Sequence, residues 1–211
     1  DEVALAGLKN LIGSRPVWLA ASTHPGEESI ITAAHANLRA NHPDALLIIV
    51  PRHPARGAKI AAALRETGSQ VGLRSADETP TPETGIFIAD AMGELGLWFR
   101  LVRAAFIGGS LAPHGGQNLL EAAQLECPII HGPHMFNFAA ITAEMADAGA
   151  TVSVESPDQI AREIARLIDE DDLHLERVAA ARRVAASKQG ILDDILNELA
   201  PYLPEASHAK A

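Results

Sequence analysis

The segment ALLIIVP, at residues 45–51, is an almost unbroken run of apolar residues. A strand with one face in water alternates apolar and polar side chains, whereas a strand that is covered on both faces has no need of polar ones. The segment therefore predicts a strand inside a parallel sheet that has helices packed on both of its faces.

Six other short apolar segments predict further strands, and longer amphipathic segments separate them. The predicted strands are VWLAAS (17–22), QVGLRS (70–75), GIFIAD (85–90), AAFIGG (104–109), CPIIHG (127–132) and TVSV (151–154). The predicted helices follow Pro25, span about 55–67, begin near Gly93, include 119–123, span about 138–148, and begin at Ser156-Pro157. This alternation predicts an α/β fold with a Rossmann-like, doubly wound parallel sheet.

The C-terminal part of the chain is predicted to be helical. The clearest helix start is Ser156-Pro157, because serine caps helix N-termini and proline is favoured at the first helical position. After residue 169 the sequence is charged and helical in pattern to about Leu199, and we expect this helix to pack on the preceding domain or on a partner. We therefore divide the chain into an α/β domain at 1–170, a helical segment at 171–199 and a frayed tail at 200–211.

Composition and charge disfavour several classes of protein. The net charge of −10 is unfavourable for binding free nucleic acid, because a phosphate backbone selects a basic surface. Cys127 is the only cysteine, which excludes an internal disulfide and a multi-cysteine metal site, and we expect it to be a buried apolar residue. The longest apolar stretches are far shorter than the ~20 residues that cross a bilayer. Because the first residue is Asp1 rather than methionine, we expect the chain to be part of a longer protein.

Five polar loops follow predicted strands at their carboxyl ends, which is where open parallel sheets bind ligands. They are STHPGEE (22–28), PRHPAR (51–56), DAMGEL (90–95), GGSLAPHGGQNLLEAA (108–123) and HGPHMFNF (131–138). Parallel strands end at the same edge of a sheet, so these loops are predicted to form one ligand-binding rim.

The fourth of these loops contains two glycine pairs ahead of a predicted helix start. Helix N-termini present unpaired N–H groups and the positive end of the helix dipole, and both favour phosphate. Glycines after a strand can also serve only to make a turn. The predicted phosphate ligands are the amides of Gly115, Gly116, Gln117 and Asn118, and Gly109 and Ser110 are predicted to border the same site at the end of the strand. The chain has neither a G-x-G-x-x-G nor a P-loop motif, which disfavours hydride transfer and P-loop phosphoryl transfer.

Cationic and imidazole side chains are also concentrated in these loops. Arg52 directly follows a predicted strand, which in an acidic chain favours an anion clamp. Arg56 is expected on the exposed face of the next helix. Five histidines lie on several loops without a zinc spacing, so we expect them to contact a ligand or to hold the loops rather than to bind metal. They are His24, His53, His114, His131 and His134.

Carboxylates on the rim are candidates for binding the ribose of a nucleotide. Glu121 lies three residues beyond Asn118, where it could accept both ribose hydroxyls, although a surface carboxylate near a helix start would have the same position. Asp90 and Glu94 flank Met92-Gly93 in the same way, and a methionine with nearby backbone amides could hold the base.

The first loop carries hydroxyl and carboxylate groups. Ser22 and Thr23, like Ser110, have no defined base partner, and no G-x-S-x-G motif is present, which disfavours serine hydrolysis. Glu27 and Glu28 lie in the first turn of the helix after Pro25, where the helix dipole favours carboxylates.

The motifs STHPGEE, PRHPAR, DAMGEL, GGSLAPHGGQNLLEAA and GPHMFNF, in this order and spacing, closely resemble the C-terminal half of 3-deoxy-D-manno-octulosonic acid (Kdo) transferases. The resemblance covers about residues 16–151. It implies one half of a GT-B type glycosyltransferase, which consists of two facing Rossmann-like domains. In such an enzyme the C-terminal domain binds the donor CMP-Kdo, and the N-terminal domain binds the acceptor, lipid A or its precursor. The implied reaction is an inverting transfer at the cytoplasmic face of the bacterial inner membrane.

Residues 1–170 would then be the donor-binding domain. The resemblance places the catalytic base and the contact with the membrane in an N-terminal domain outside this chain, so the chain alone would be inactive. It requires no metal and no other cofactor. The implied substrate-binding residues are Ser22, Thr23, His24, Glu27, Arg52, His53, Met92, Gly93, Glu94, Gly109, Ser110, Gly115, Gly116, Gln117, Asn118 and Glu121.

The sequence departs from the family pattern at two places and leaves two other functions open. Gln117 stands where the family usually has histidine, and Ala122 stands where it usually has proline. A UDP-sugar transferase or 2-epimerase of the same fold would use the glycine loop and Glu121 equally well. A non-catalytic nucleotide-binding module is the second alternative.

Overall fold

The computed structural model describes residues 2–199, with the side chains of 2–188 and 198, and the tail predicted at 200–211 lies outside the described residues. Within these described residues, seven strands form one sheet in which all neighbours are parallel. They are β1 (Val17–Thr23), β2 (Leu46–Pro51), β3 (Val71–Leu73), β4 (Ile86–Ile88), β5 (Ala104–Ile107), β6 (Ile129–His131) and β7 (Thr151–Ser153). All seven predicted strands are confirmed, although most end a few residues earlier than expected.

Eight α-helices lie within residues 2–199. They are α1 (Glu2–Ile12), α2 (Glu27–Arg39), α3 (Gly57–Glu66), α4 (Leu95–Phe99), α5 (Leu120–Gln124), α6 (Ala139–Asp147), α7 (Pro157–Asp169) and α8 (Asp171–Leu199). The cap predicted for α7 is confirmed, since the Ser156 hydroxyl accepts a hydrogen bond from the Gln159 amide at 3.3 Å. The helix α1 was not predicted from the sequence. None of the described helices is both long and apolar enough to cross a membrane.

Helices cover both faces of the sheet, as the ALLIIVP segment predicts. Side chains alternate along β2, so that Leu46 and Ile48 belong to one apolar core, and Leu47 and Ile49 to the other. The first core is covered by α1, α4, α5, α6 and α8, and the second by α2, α3 and α7. Ala181 of α8 is fully buried in the first core, so this helix packs on the sheet. The division of domains at residue 170 stays a prediction.

The strand order is β3-β4-β2-β1-β5-β6-β7. The chain runs outward from β1 through β2 in one direction and then returns to β5, next to β1, to run outward in the other direction. The loops that follow β1 and β5 therefore diverge on opposite sides of a crevice at the carboxyl edge of the sheet. This point of reversal is where doubly wound sheets bind ligands.

Candidate functional site

The ends of β1 and β5 approach so closely that a side chain does not fit between them. A Cβ atom built on Gly108 would lie 2.5 Å from the Ser22 carbonyl oxygen and 2.8 Å from the Thr23 Cα atom. Ser22 itself has a φ of 57°, a left-handed conformation that costs energy for a residue other than glycine. The first glycine of the loop is therefore required by packing, and the loop after β1 turns sharply at Ser22.

The Glu27 carboxylate lies inside this crossing and connects the two loops. Its Oε2 atom accepts hydrogen bonds from the amides of His24 and Gly109 at 2.8 and 2.7 Å. Its Oε1 atom accepts from the amides of Ser110 and Leu111 at 3.0 and 2.9 Å. The residue is only 1% exposed. Glu27 therefore occupies the amides of Gly109, Ser110 and Leu111 from within the protein.

A second buried network holds the base of the same loop. The Thr23 hydroxyl donates to Glu28 at 2.8 Å, and the Arg56 guanidinium pairs with the same carboxylate oxygen at 2.8 Å. Arg56 also donates to the Thr23 carbonyl at 3.0 Å. The expectation that Arg56 lies on an exposed helix face was wrong, because this pairing across two loops leaves the side chain only 23% exposed.

Ser110 is fully buried below the surface of the crevice. Its hydroxyl donates to the Ile107 carbonyl and accepts from the Gly132 amide, the latter at 2.8 Å. The side chains of Thr23, Glu27 and Ser110 thus have their hydrogen bonds within the protein. All three side chains therefore hold loops in position. A direct contact of any of them with the substrate stays a prediction.

The second glycine pair lies in an extended loop, because α5 begins only at Leu120. The helix predicted to include 119–123 is present, but the amides at 115–118 precede it and do not belong to its first turn. Gly115 and Gly116 have φ values of 91° and 77°, and Cβ atoms there would overlap the side chains of Met135 and Asn137. The Asn137 amide group donates to the His114 carbonyl at 3.1 Å, which joins the loop after β6 to this one.

Three amides in and just after this second pair have no partner in the described part of the chain. The Gly116 amide donates to the Gly109 carbonyl at 2.8 Å, which links the two glycine pairs. The amides of Gly115, Gln117 and Asn118 make no hydrogen bond within residues 2–199. The loop therefore offers free donors at the rim even though no helix begins there.

Three histidines, Arg52 and Gln117 form the rim beside these amides. The His24 and His114 rings stack with centroids 4.4 Å apart, and the His53 ring lies edge-on to His24 at 6.5 Å. Burial, with the neighbouring His114 next, lowers the pKa of His24. Gln117 Nε2 lies 3.4 Å from His24 Nε2, so a neutral His24 can accept a hydrogen bond from the Gln117 amide group.

Arg52 is the free cation of this rim. Its guanidinium is exposed and forms no hydrogen bond or ion pair within the described residues, whereas its backbone amide donates to the Thr23 carbonyl at 3.0 Å. The backbone thus fixes the base of the side chain beside His24 while the charge stays unpaired. Such a group can bind an anion without breaking an internal contact.

The loop after β4 carries two carboxylates and an exposed methionine. Asp90 accepts from the amide and hydroxyl of Ser75 at 2.9 and 2.7 Å, and Glu94 forms a two-pronged ion pair with Arg74 at 2.9 and 3.1 Å. Both carboxylates are therefore engaged within the protein. Between them, Met92 is 82% exposed, which leaves it free to contact a ligand.

Glu121 faces this loop from α5. Its carboxylate lies next to Gly96, where a built Cβ atom would be 3.7 Å from Glu121 Oε1. The side chain is exposed and makes no hydrogen bond or ion pair among the described residues. Of the carboxylates predicted to bind substrate, Glu121 is thus the one with free oxygens.

The remaining candidate groups have structural roles or no defined one. Burial lowers the pKa of His131, whose Nδ1 atom donates to the Gly132 carbonyl at 2.7 Å, and burial raises the pKa of the Cys127 thiol. Both observations favour neutral groups that hold the fold. No group of three or more metal-ligating side chains occurs within the part of the chain that the structure describes.

Comparison with known proteins gives one consistent family. No family model matches the chain. The 3-deoxy-D-manno-octulosonic acid transferase of Haemophilus influenzae is 38% identical over 190 residues, which cover 90% of this chain and 44% of that protein. This chain therefore spans less than half the length of that curated relative.

Two solved structures place the fold. The C-terminal CMP-Kdo binding domain of WaaA from Acinetobacter baumannii is 32% identical with a TM-score of 0.82, over 86% of this chain and 96% of that one. A glycosyltransferase from Rickettsia africae is 13% identical with a TM-score of 0.63, over 94% of this chain and 52% of that one, and it shares the fold alone. The predicted fold, a Rossmann-like half of a GT-B type glycosyltransferase, is confirmed. Because a relative at 32% identity is matched over almost its whole length, the chain belongs to the 3-deoxy-D-manno-octulosonic acid transferase family.

Proposed function

We propose that this chain is the donor-binding half of a glycosyltransferase and that its ligand is the nucleotide sugar CMP-Kdo. The observation that carries the proposal is the set of unpaired polar groups at the crevice. These are the amides of Gly115, Gln117 and Asn118, the guanidinium of Arg52 and the carboxylate of Glu121. Their chemistry matches a phosphate, a second anionic group and a sugar diol, respectively. The solved domain of WaaA, which is named for binding CMP-Kdo, supports this choice of ligand.

In the proposed complex the free amides of the second glycine pair hold the phosphate of the cytidylate. Breaking the bond between Kdo and this phosphate leaves negative charge on the phosphate oxygens. Fixed N–H donors stabilise such developing charge because they need no reorganisation during the reaction. Arg52 pairs with the phosphate or with the carboxylate of Kdo, for which a planar guanidinium is well suited.

The nucleoside is proposed to lie between the loop after β4 and α5. Glu121 accepts hydrogen bonds from the ribose hydroxyls, and the exposed Met92 side chain contacts the base with the amides near Gly93. His24, His53 and Gln117 then border the sugar. Direct contacts of Ser22 and Glu94 with the donor belong to the same proposal, whereas Thr23, Glu27, Gly109 and Ser110 are proposed to act by holding the loops in position.

The rest of the reaction is proposed to depend on a part of the protein outside this chain. That part would bind lipid A or its precursor, supply the base for an inverting transfer, and contact the cytoplasmic face of the bacterial inner membrane. The chain alone is then expected to bind CMP weakly and to transfer no sugar.

Calorimetric titration with CMP, UMP and AMP tests the choice of donor. We expect the chain to prefer CMP, and the Arg52→Ala variant to bind it about tenfold more weakly, a loss of about 1.4 kcal/mol. Arg162→Ala is the matched control, because Arg162 is an exposed arginine on α7 without an ion pair in the described residues. Equal binding of all three nucleotides, or of none, would contradict the proposal. A preference for UMP would support a UDP-sugar enzyme of the same fold.

A further inference from the structure

We infer that the Glu27 carboxylate is a built-in anion that fills the first of two amide nests at the crevice and thereby directs the donor phosphate to the second. The first nest is formed by the amides of His24, Gly109, Ser110 and Leu111. The second nest is formed by the amides of Gly115, Gln117 and Asn118. The inference rests on the proposed function for the identity of the donor, but the occupancy of the first nest does not.

The geometry of the first nest is that of a general anion site. Gly109 has a φ of 67°, and successive amides on either side of a left-handed residue point toward one centre. In nucleotide-binding α/β proteins such a nest after a strand binds phosphate. Here three successive amides converge instead on a carboxylate from α2, which lies 82 residues earlier in the chain than Gly109.

The carboxylate has no capacity left for a ligand. Each of its oxygens accepts two N–H groups, at 2.7 and 2.8 Å for Oε2 and at 2.9 and 3.0 Å for Oε1. Two oxygens offer about four acceptor sites, so all of them are used. Because the residue is also 1% exposed, neither a ribose hydroxyl nor the donor itself can reach it. Glu27 is therefore a positioning residue and not a contact of the substrate.

Filling the first nest affects the second in two ways. A phosphate placed at Gly109 would meet a buried negative charge, so the donor is excluded from the site that a typical phosphate-binding loop would use. The Gly109 carbonyl also accepts the Gly116 amide at 2.8 Å. Because this hydrogen bond joins the two pairs, the conformation that Glu27 imposes on the first pair also restrains the second pair and the free amides next to Gly116.

Chemical rescue tests this inference. Glu27→Ala removes the carboxylate and leaves a vacancy of its size among four N–H groups. Asp158→Ala is the matched control, because Asp158 is also a first-turn carboxylate but is exposed, on α7, and bonded to the Asn37 side chain. The midpoint of thermal unfolding and the Kd for CMP are measured while acetate replaces chloride at constant ionic strength.

We expect Glu27→Ala to unfold at a lower temperature and to bind CMP at least tenfold more weakly, and acetate to restore at least part of both. Inorganic phosphate should raise the unfolding temperature of Glu27→Ala more than that of the wild-type chain, since the vacancy is an anion site. The control should show neither rescue. If Glu27→Ala is folded and acetate changes neither quantity, the inference is wrong.

Three further outcomes are covered by the same measurements. If Glu27→Ala folds in acetate but not in chloride, the inference is supported. If it folds in neither, Glu27→Gln takes its place: this variant keeps the size but loses the charge, and the inference is overturned if it binds CMP as the wild type does. If the wild-type chain does not bind CMP, the proposed function fails, and the acetate dependence of unfolding still tests the nest.

Discussion

The two glycine pairs of the loop after β5 look alike in sequence but differ in what their amides do. The amides at Gly109 and Ser110 are taken by Glu27, whereas those at Gly115 and Gln117 have no partner in the described residues. We call the first the closed region, because its amides are satisfied within the protein, and the second the open region, because it has amides left to bind a ligand. Changes in the closed region should therefore alter stability, and changes in the open region should alter binding.

The largest expected effect comes from Gly108→Ala in the closed region. Its Cβ atom would lie 2.5 Å from the Ser22 carbonyl oxygen, and two backbones cannot move apart as a flexible side chain can. We expect the free energy of unfolding in urea to fall by about 3 kcal/mol or more, at the upper end of the usual cost of overpacking. Gly93→Ala is the control, because that glycine has a φ of 80° with open space around it, and its loss should cost only about 1 kcal/mol. Equal losses for the two variants would mean that the strand ends are not tightly packed.

His35, a buried polar residue away from the crevice, should make the stability of the chain depend on pH. His35 accepts from Trp18 Nε1 at 3.1 Å and donates to the Gly85 carbonyl at 2.9 Å, and burial lowers its pKa from 6.5 to about 4. The unfolded chain therefore takes up a proton near pH 6.5 and the folded chain only near pH 4. Stability that is present above pH 6.5 is lost as the pH falls to about 4, by roughly 3 kcal/mol.

The His35→Gln variant isolates this contribution, since a glutamine amide can accept from Trp18 and donate to Gly85 without titrating. The free energy of unfolding of both proteins is measured by urea denaturation at several pH values. We expect the wild-type chain to lose more stability than the variant between pH 6.5 and 4. His24, His131 and His174 have lowered pKa values too, but they are common to both proteins and cancel in the difference. Parallel curves would show that His35 protonates as readily in the folded chain as in the unfolded one.

Much of the fold was predictable because its signals are local. The ALLIIVP run, the alternation of strands and helices, and the cap at Ser156 each depend on a few neighbouring residues, and each prediction is confirmed. The five loops at the carboxyl ends of strands followed from the same pattern. The conformation of the second glycine pair was not predictable, because this pair packs against Met135 and Asn137, which lie in another loop.

The sequence could not show which polar side chains of the site have partners within the protein and which have none. Glu27 and Glu28 lie side by side in a first helical turn, and nothing local shows that one of them binds amides 82 residues away. Arg52 and Arg56 present the same difficulty, since the pairing of Arg56 with Glu28 exists only once two loops are brought together. The sequence predicts which residue types are at the rim, whereas the tertiary contacts decide which of them are free.

Two arginines of one loop give the next comparison. Arg56→Ala would leave the buried Glu28 carboxylate without its ion pair, and we expect a loss of about 2 kcal/mol of stability with little change in CMP affinity. Arg52→Ala should leave the free energy of unfolding within about 0.5 kcal/mol, as is usual for exposed residues, while it weakens CMP binding about tenfold. Urea denaturation measures the free energy of unfolding of both variants, and calorimetry measures their affinity for CMP. If the two effects were exchanged, Arg56 would be the anion clamp.

The smallest expected effect concerns Glu121, whose free carboxylate is proposed to bind the ribose. A hydrogen bond from one hydroxyl to a carboxylate contributes about 1 kcal/mol or somewhat more, so the wild-type chain should bind CMP about fivefold more tightly than 2′-deoxy-CMP. Glu121→Gln should reduce this ratio toward one, mainly by weakening the binding of CMP, because a neutral amide oxygen is a weaker acceptor than a carboxylate. Stability should not change, since Glu121 makes no ion pair in the described residues.

Glu126→Gln is the control, because Glu126 is exposed near the end of α5 and pairs with Arg182 rather than facing the crevice. A ratio that stays near five in Glu121→Gln would assign the recognition of the 2′-hydroxyl to another group and would leave Glu121 as a surface carboxylate of α5.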